Sequence, residues 1–393
     1  MKKIMVVAGG KWQVPLIKYF KSIGHYVINT NLYENSPGFA YADEHYVIDV
    51  LDKEKNLEIA TQCNIDAITT DQSDIAIPTI AYIAEKLGLC GIGTKSAKLF
   101  TNKYEMRLRG KELGLPTPKF ELCDKFQDAE VFIRQCKNVV IKPPDGHGSR
   151  GVSIIRNGSF TKNQFDMALA ESKSDVVLIE EFIEGYEITV EGYKTTDKHF
   201  TLAISEKSRI QEYPQVASNL WYSSNAFNKH KSLVKEHDAL IQGFGLTFGI
   251  THSEYIYNGG CYTLVEVAAR GGGTNISSHI VPRISGVNVY EELGRNILGQ
   301  KAREIHEFNP NCSVVLDFIQ LMPGRVKSIN GIEALLRNPN VLDAALNFQE
   351  GDSVPILTDD ATRAGYIIAH AMNDEELRKL LVNLKKDIHV SYS

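Results

Sequence analysis

Residues 141–151 read Ile-Lys-Pro-Pro-Asp-Gly-His-Gly-Ser-Arg-Gly. A short apolar run at 139–141 delivers Lys142 to a loop with glycines at 146, 148 and 151, and a second apolar stretch resumes at 152. Glycines let a backbone take positive φ and approach a ligand closely. Successive N–H groups in such a loop can form a concave anion site, and a lysine beside it adds a point charge suited to phosphate. Strand, lysine, glycine loop and strand therefore spell a nucleotide-phosphate cradle. The same residues also fit an ordinary glycine-rich hairpin with an exposed lysine.

Two further segments carry chemistry. The apolar run 176–179 leads into Glu180-Glu181-Phe182-Ile183-Glu184-Gly185-Tyr186-Glu187. Carboxylates just past a buried strand can accept from an adenine amine or ribose hydroxyls, and they equally fit a solvated acidic turn. Downstream, His252-Ser253-Glu254-Tyr255 and Leu264-Val265-Glu266-Val267-Ala268-Ala269-Arg270-Gly271-Gly272-Gly273 flank Tyr257-Asn258-Gly259-Gly260, a hairpin signal. With a three-residue loop, residue 254 faces 264 and Glu266 is a diagonal neighbour on the same face, roughly 7–8 Å away. A two- or four-residue loop sends the two glutamates to opposite faces. Two carboxylates on one face suit magnesium, which keeps phosphate oxygens among its ligands. A glutamate inside the apolar strand 264–268 is costly unless paired or metal-bound. Arg270 at that strand's end suits bidentate contact with phosphate or carboxylate, and a structural Glu–Arg salt bridge is the alternative.

The elements that position these groups alternate strand and helix. Residues 3–8, 26–30 and 66–70 read as strands, and 12–23 and 75–87 as helices, which predicts a parallel α/β sheet with Gly9 and Gly10 at its ligand turn. The stretch 88–96 nearly matches a Walker phosphate loop, but one extra residue precedes Lys95 and no strong strand comes before it. A helix over 103–113 ends at Gly114, and Pro116 and Pro118 mark a linker. The tail reads as strands with helices at 331–337 and 373–385. This divides the chain into 1–100, 101–190, 191–310 and a β-rich 311–393 that belongs to the third unit.

The 393 residues are enough for two or three domains, and 43% hydrophobic with 23% charged residues is ordinary for a soluble globular protein. A net charge of −5 offers no basic field for nucleic acid. No apolar run reaches membrane-spanning length. Six cysteines without a Cys-x-x-Cys pair read as reduced thiols in a cytoplasmic protein. No nucleophilic serine or cysteine triad signature is found.

Taken in order, these segments resemble the ATP-grasp superfamily over nearly the whole chain, on its carboxylate–amine (amino-acid) ligase and biotin-carboxylase-like branch. Val7-Ala8-Gly9-Gly10 with Asp71-Gln72-Ser73-Asp74 is similar to the N-terminal preparatory domain, and residues 101–107 to the first nucleotide-lysine segment. Pro323-Gly324-Arg325-Val326, Gly351-Asp352 and Arg363-Ala364-Gly365-Tyr366 are similar to the family's C-terminal part. The resemblance implies an α/β fold in which two α+β subdomains clasp ATP. It implies nucleotide contacts from Lys103, Lys142, His147, Gly148, Ser149, Glu180, Glu181, Ile183 and Glu187, the last at the ribose. It implies magnesium, with manganese as an alternative, on Glu254 and Glu266, and catalytic roles for Lys142 and Arg270. Substrate contacts are implied for Asp74, Arg270, Gly273, Ser278 and His279, with Ser277, Ser278 and His279 opening a helix. The shared chemistry is activation of a carboxylate as an acyl phosphate, followed by attack of an amine. A carboxylating enzyme on the same scaffold and a nucleotide-binding protein without catalysis are the other readings. The partners implied are small molecules, and a homodimer is compatible. The chain departs from many members at Ala268, where an asparagine is common.

Overall fold

The computed structural model describes residues 1–146, 148, 150–306 and 310–393. Its first unit is a four-stranded parallel sheet in the order Glu44–Val47, Tyr26–Asn31, Lys3–Val7, Ala67–Thr69. The first strand is buried along its length after Lys3, as a strand covered on both faces must be. Helix Val14–Ser22 begins with Pro15, which needs no N–H partner there, and buries Leu16, Ile17 and Phe20. The predicted parallel α/β unit is therefore present. Strand Glu44–Val47 and helix Lys53–Cys63 were not anticipated. The strand is at the sheet edge and alternates half-buried with exposed residues. The helix buries Asn56, a polar residue that breaks the apolar period while donating to Asp49 and Asp52 carbonyls. Gly88 ends helix Ile77–Leu87 in the left-handed conformation, and Gly93 precedes helix Thr94–Leu99, so the Walker-like stretch serves as helix punctuation.

The second unit is an antiparallel sheet in the order Phe120–Cys123, Val177–Glu181, Val139–Lys142, Ser153–Ile155. Helices Phe126–Gln135 and Lys162–Ala170 pack their apolar residues against it, the second opened by a capping box between Thr161 and Gln164.

Most of the rest forms one eight-stranded antiparallel sheet. Its order is Cys261–Ala268, Gly249–Asn258, Tyr186–Lys194, His199–Ile210, Tyr213–Tyr222, Ser313–Ile319, Gly365–Ala371, Val341–Leu346. Tyr186–Lys194 pairs with both Gly249–Asn258 and His199–Ile210. The small unit thus ends near 181, short of the expected 190, because the chain changes sheets between Glu181 and Tyr186. Residues after 311 supply three strands of the same large sheet. A shared apolar cluster joins Leu16, Ile17 and Phe20 of the first unit to Tyr193, Tyr290 and Leu316. That shared core fixes the first unit against the large sheet at the mouth of the site.

Candidate active site

The two glutamates meet by a route different from the expected one. Gly259 and Gly260 have φ of 55° and 95°, the two positive values that a two-residue type I′ hairpin loop demands. Asn258 accordingly faces Cys261, and the register runs regularly to Tyr255 opposite Leu264. Continued unchanged, it would place Glu254 and Glu266 on opposite faces. The register instead shifts between Tyr255 and Glu254, leaving Val265 as an extra residue, and Glu254 pairs directly with Glu266. This is a β-bulge, a device that re-aims a side chain beside a site. The Val265 carbonyl accepts from Arg107 Nη2 at 2.7 Å. Ala268 is fully buried opposite His252 and adds no ligand. No cluster of three metal-ligating side chains occurs among the described residues. Two facing carboxylates without a protein cage fit a hard cation that takes its remaining ligands from phosphate and water, as magnesium does.

Lysines from two other elements reach these carboxylates. Lys103 begins helix Lys103–Glu112, whose first turn is capped by Asn102 accepting from Tyr104 and Glu105 N–H. Its Nζ lies 3.1 Å from Glu266 Oε1 and donates to the Gly146 carbonyl at 2.8 Å, tying the glycine loop to that carboxylate. Lys207 Nζ lies 3.1 Å from Glu254 Oε1 and also pairs with Glu187, which Arg209 contacts as well. Glu187 is 3% exposed between these two cations. Its carboxylate thus sits between two ion-pair partners at the position where the resemblance implies a ribose contact. Burial pushes the Glu254 carboxyl up, but Lys207 and His252 outweigh it and hold the group well below its usual range.

Lys142 ends its strand with Nζ 2.5 Å from Glu180 Oε2, and Arg107 Nε lies 2.6 Å from Glu180 Oε1. All three side chains are buried. Burial raises the Glu180 carboxyl, and Arg107 with Lys142 more than reverses that, so it stays ionised. Glu180 therefore acts as the counterion that aims Lys142. Glu181 is at the strand's end, where its N–H donates to the Lys119 carbonyl, and half-buried Ile183 follows the strand. Gly148 has φ of 65° and lines the cavity described below. His147 and Ser149 lie outside the described residues.

Arg270 forms a two-pronged pair with Asp74, Nε to Oδ1 at 2.8 Å and Nη2 to Oδ2 at 2.6 Å. Asp74 thus fixes the guanidinium across the boundary between the first unit and the large sheet. Asp71 accepts from Gly271 N–H, Ser277 Oγ and Tyr290 OH. A Cβ on Gly271 would meet Asp71 Oδ1 at 2.7 Å and Ser277 Cβ at 2.5 Å, so only glycine fits. Thr274 and Asn275 both take positive φ, and Ile276–Ile280 is a π-helical turn. Ser277, Ser278 and His279 do open a helical segment, which is π-helical over Ile276–Ile280 before helix Val281–Ser285. Ser277 is bound to Asp71, and Ser278 Oγ is 2.7 Å from His279 Nδ1.

A cavity of about 390 Å³ opens beside Asp74. Trp12, Gln72 and Ser73 come from the first unit, Gly148 and Arg150 from the glycine loop, and Gly273 and Thr274 from the turn after Arg270. The far wall is Phe318, Asn347, Arg363 and Tyr366. Arg363 stacks 3.7 Å over the Phe318 ring and pairs with Asp360 at 2.5 Å. Of the expected substrate contacts, Asp74 and Gly273 line the cavity, and Ser278 and His279 do not.

Sequence reading gave no role to Arg107, Lys207, Arg209 or Trp12, and quoted Arg363 and Tyr366 only as family-like. Arg107 stands four residues after Lys103 on one helix face, a spacing that could have exposed it. Lys207 and Arg209 share one strand face at period two. Trp12 carries no local signal.

An ATP-grasp domain model matches residues 135–278, and a model described as L-amino acid ligase C-terminal domain 2 matches residues 318–393. The formate-dependent phosphoribosylglycinamide formyltransferase of Mannheimia succiniciproducens is 25% identical over 357 residues, 86% of this chain and 85% of that protein. The protein of the same name from Francisella tularensis subsp. novicida is 26% identical over 354 residues, 86% of this chain and 87% of that protein. The crystal structure of L-amino acid ligase from Bacillus licheniformis superposes with a TM-score of 0.83 at 21% identity, covering 100% of this chain and 99% of that one. Phosphoribosylglycinamide synthetase from Anaerococcus prevotii gives 0.78 at 18% identity, with 100% of both chains covered. At these identities the structural likenesses speak to the fold.

Proposed function

Since this chain belongs to the ATP-grasp superfamily, we propose that it is an ADP-forming ligase that activates a carboxylate as an acyl phosphate and joins it to an amine. The observation that carries the proposal is the facing pair Glu254 and Glu266, with Lys103 bridging Glu266 to the glycine loop. Phosphoryl transfer is mostly positioning and charge neutralisation, and every group gathered here is of that kind.

Lys103 and Lys142 bind the phosphate chain, and Glu180 with Arg107 holds Lys142 in aim. Magnesium, when bound at Glu254 and Glu266, neutralises charge on the phosphate oxygens. Arg270, fixed by Asp74, orients the substrate carboxylate toward the γ-phosphate. The attacking carboxylate oxygen bonds to phosphorus as the bond to the ADP oxygen breaks. The amine then attacks the acyl carbon, phosphate leaves, and the amine surrenders a proton. The loop through Gly146, Gly148 and Gly151 covers the acyl phosphate against water.

The match of residues 318–393 to an L-amino acid ligase domain supports amino acids as substrates, because those residues supply Phe318, Asn347, Arg363 and Tyr366 to the cavity. An aromatic wall with charged groups of both signs suits a zwitterion with an apolar side chain. No helix among the described residues is long and apolar enough to cross a membrane, and all six cysteines are free, in keeping with a cytoplasmic enzyme. The test is ADP release with paired amino acids. ADP should form only when a carboxylate donor and an amine are both present. Nucleotide binding without ADP release for any pair would leave a non-catalytic binding protein instead.

A further inference from the structure

Each of the two facing carboxylates is held by a lysine from a different element. Lys103 comes from a helix start and reaches Glu266, and Lys207 comes from strand His199–Ile210 and reaches Glu254. Lys207 is shared with Glu187, which also takes Arg209. Three carboxylates thus meet three cations in one cluster, and His252, with Nε2 3.7 Å from Glu254, borders it. The Lys103 side chain is 10% exposed and that of Lys207 14%.

A divalent cation arriving alone between Glu254 and Glu266 must push both ammonium groups away. Two largely buried cations would then lose their partners and face a doubly charged neighbour, and breaking one side of a buried pair is costly. Magnesium also gives up its water reluctantly. A nucleotide polyphosphate removes the obstacle, because its oxygens accept the lysines as the carboxylates turn to the metal.

We propose that Lys103 and Lys207 guard the metal carboxylates, so that a divalent cation enters only together with nucleotide. The inference rests on the ligase reading. Lys207 is here a positioning residue: it sets when Glu254 is free to ligate. Linkage is reciprocal, so the cation raises nucleotide affinity by the same factor.

The experiment follows Mn²⁺ binding to the full-length protein by electron paramagnetic resonance, with and without the β,γ-methylene analogue of ATP. The analogue's own Mn²⁺ uptake is subtracted. The wild type should bind Mn²⁺ at least about tenfold more tightly with the analogue present. Lys207→Met should bind Mn²⁺ without analogue about tenfold more tightly than the wild type, while Lys207→Arg keeps wild-type behaviour. Lys207→Gln, which keeps a hydrogen-bond donor, serves if the methionine variant does not fold. Wild-type Mn²⁺ affinity indifferent to the analogue overturns the inference, as does a charge-removing variant no tighter than wild type. If calorimetry shows the analogue binding while Mn²⁺ ignores it, this inference alone fails. If the analogue binds neither with nor without Mn²⁺, the ligase reading fails with it.

Discussion

Glu254 lies directly opposite Glu266 only because Val265 is bulged out of the hairpin register between them. Deleting Val265 should close the bulge and leave Glu266, now next after Leu264, opposite Glu254 in a regular two-residue hairpin. What the deletion removes is the carbonyl that Arg107 holds, so stability should fall by about 1–3 kcal/mol. Mn²⁺ uptake in the presence of an ATP analogue should survive. A deletion variant that folds by circular dichroism and takes up no Mn²⁺ would refute the idea that the facing pair alone suffices.

Arg107 joins three parts of the site: the helix it stands on, the Glu180 carboxylate and the bulged Val265 carbonyl. Arg107→Met strips a partner from a buried carboxylate and a buried carbonyl at once. Urea denaturation should show a loss of about 3–5 kcal/mol, the usual cost of breaking one side of a buried pair. A loss under 1 kcal/mol would mean that Lys142 alone satisfies Glu180.

Arg270 is anchored by both oxygens of Asp74, so its geometry and not only its charge should matter. Arg270→Lys keeps the charge and loses the fork. Once a substrate pair is known, kcat/KM for the carboxylate should fall on the order of 100-fold, with little change in ATP binding. Asp74→Asn should give a smaller loss in the same parameter. Wild-type kinetics in both variants would place the carboxylate elsewhere.

His252 Nδ1 lies 2.8 Å from the buried Glu191, and its Nε2 lies 3.7 Å from Glu254. Burial pulls its pKa down, but Glu191 and then Glu254 outweigh that and lift it from 6.5 to about 9. A histidine raised in the folded state lends stability that is complete below its unfolded pKa and is lost as pH climbs through the folded one. Wild type should therefore lose stability relative to His252→Gln between pH 6.5 and about 9. The change should be on the order of 3 kcal/mol. Melting both proteins across that range measures it, and parallel curves would show that His252 is neutral throughout.

The facing carboxylates Glu254 and Glu266 teach a specific point about acidic pairs. Taken alone, two glutamates on one face repel each other, and their removal should relieve the fold. Lys103 and Lys207 already neutralise them, so Glu254→Gln or Glu266→Gln relieves nothing and should cost modest stability along with most of the activity.

The sequence by itself determined the parts whose signals are local. Apolar period and glycine punctuation placed the strand Val139–Lys142, the glycine loop and the hairpin, because backbone conformation there depends on neighbouring residues. It also singled out Lys142, Glu254, Glu266 and Arg270, since a charge at the end of, or inside, an apolar strand is conspicuous in one dimension. Only the tertiary structure decided what those charges face. Glu180 and Glu187 read alike as acidic hinge residues, yet one pairs with Lys142 and Arg107 and the other with Lys207 and Arg209, partners up to 73 residues away. The bulge at Val265 carries no local mark, because its carbonyl is satisfied by Arg107 on a distant helix. The cavity beside Asp74 is likewise assembled from seven separated segments, from Trp12 to Tyr366. Long-range pairing of buried charges is set by which surfaces pack together, and a single chain read in order does not contain that geometry.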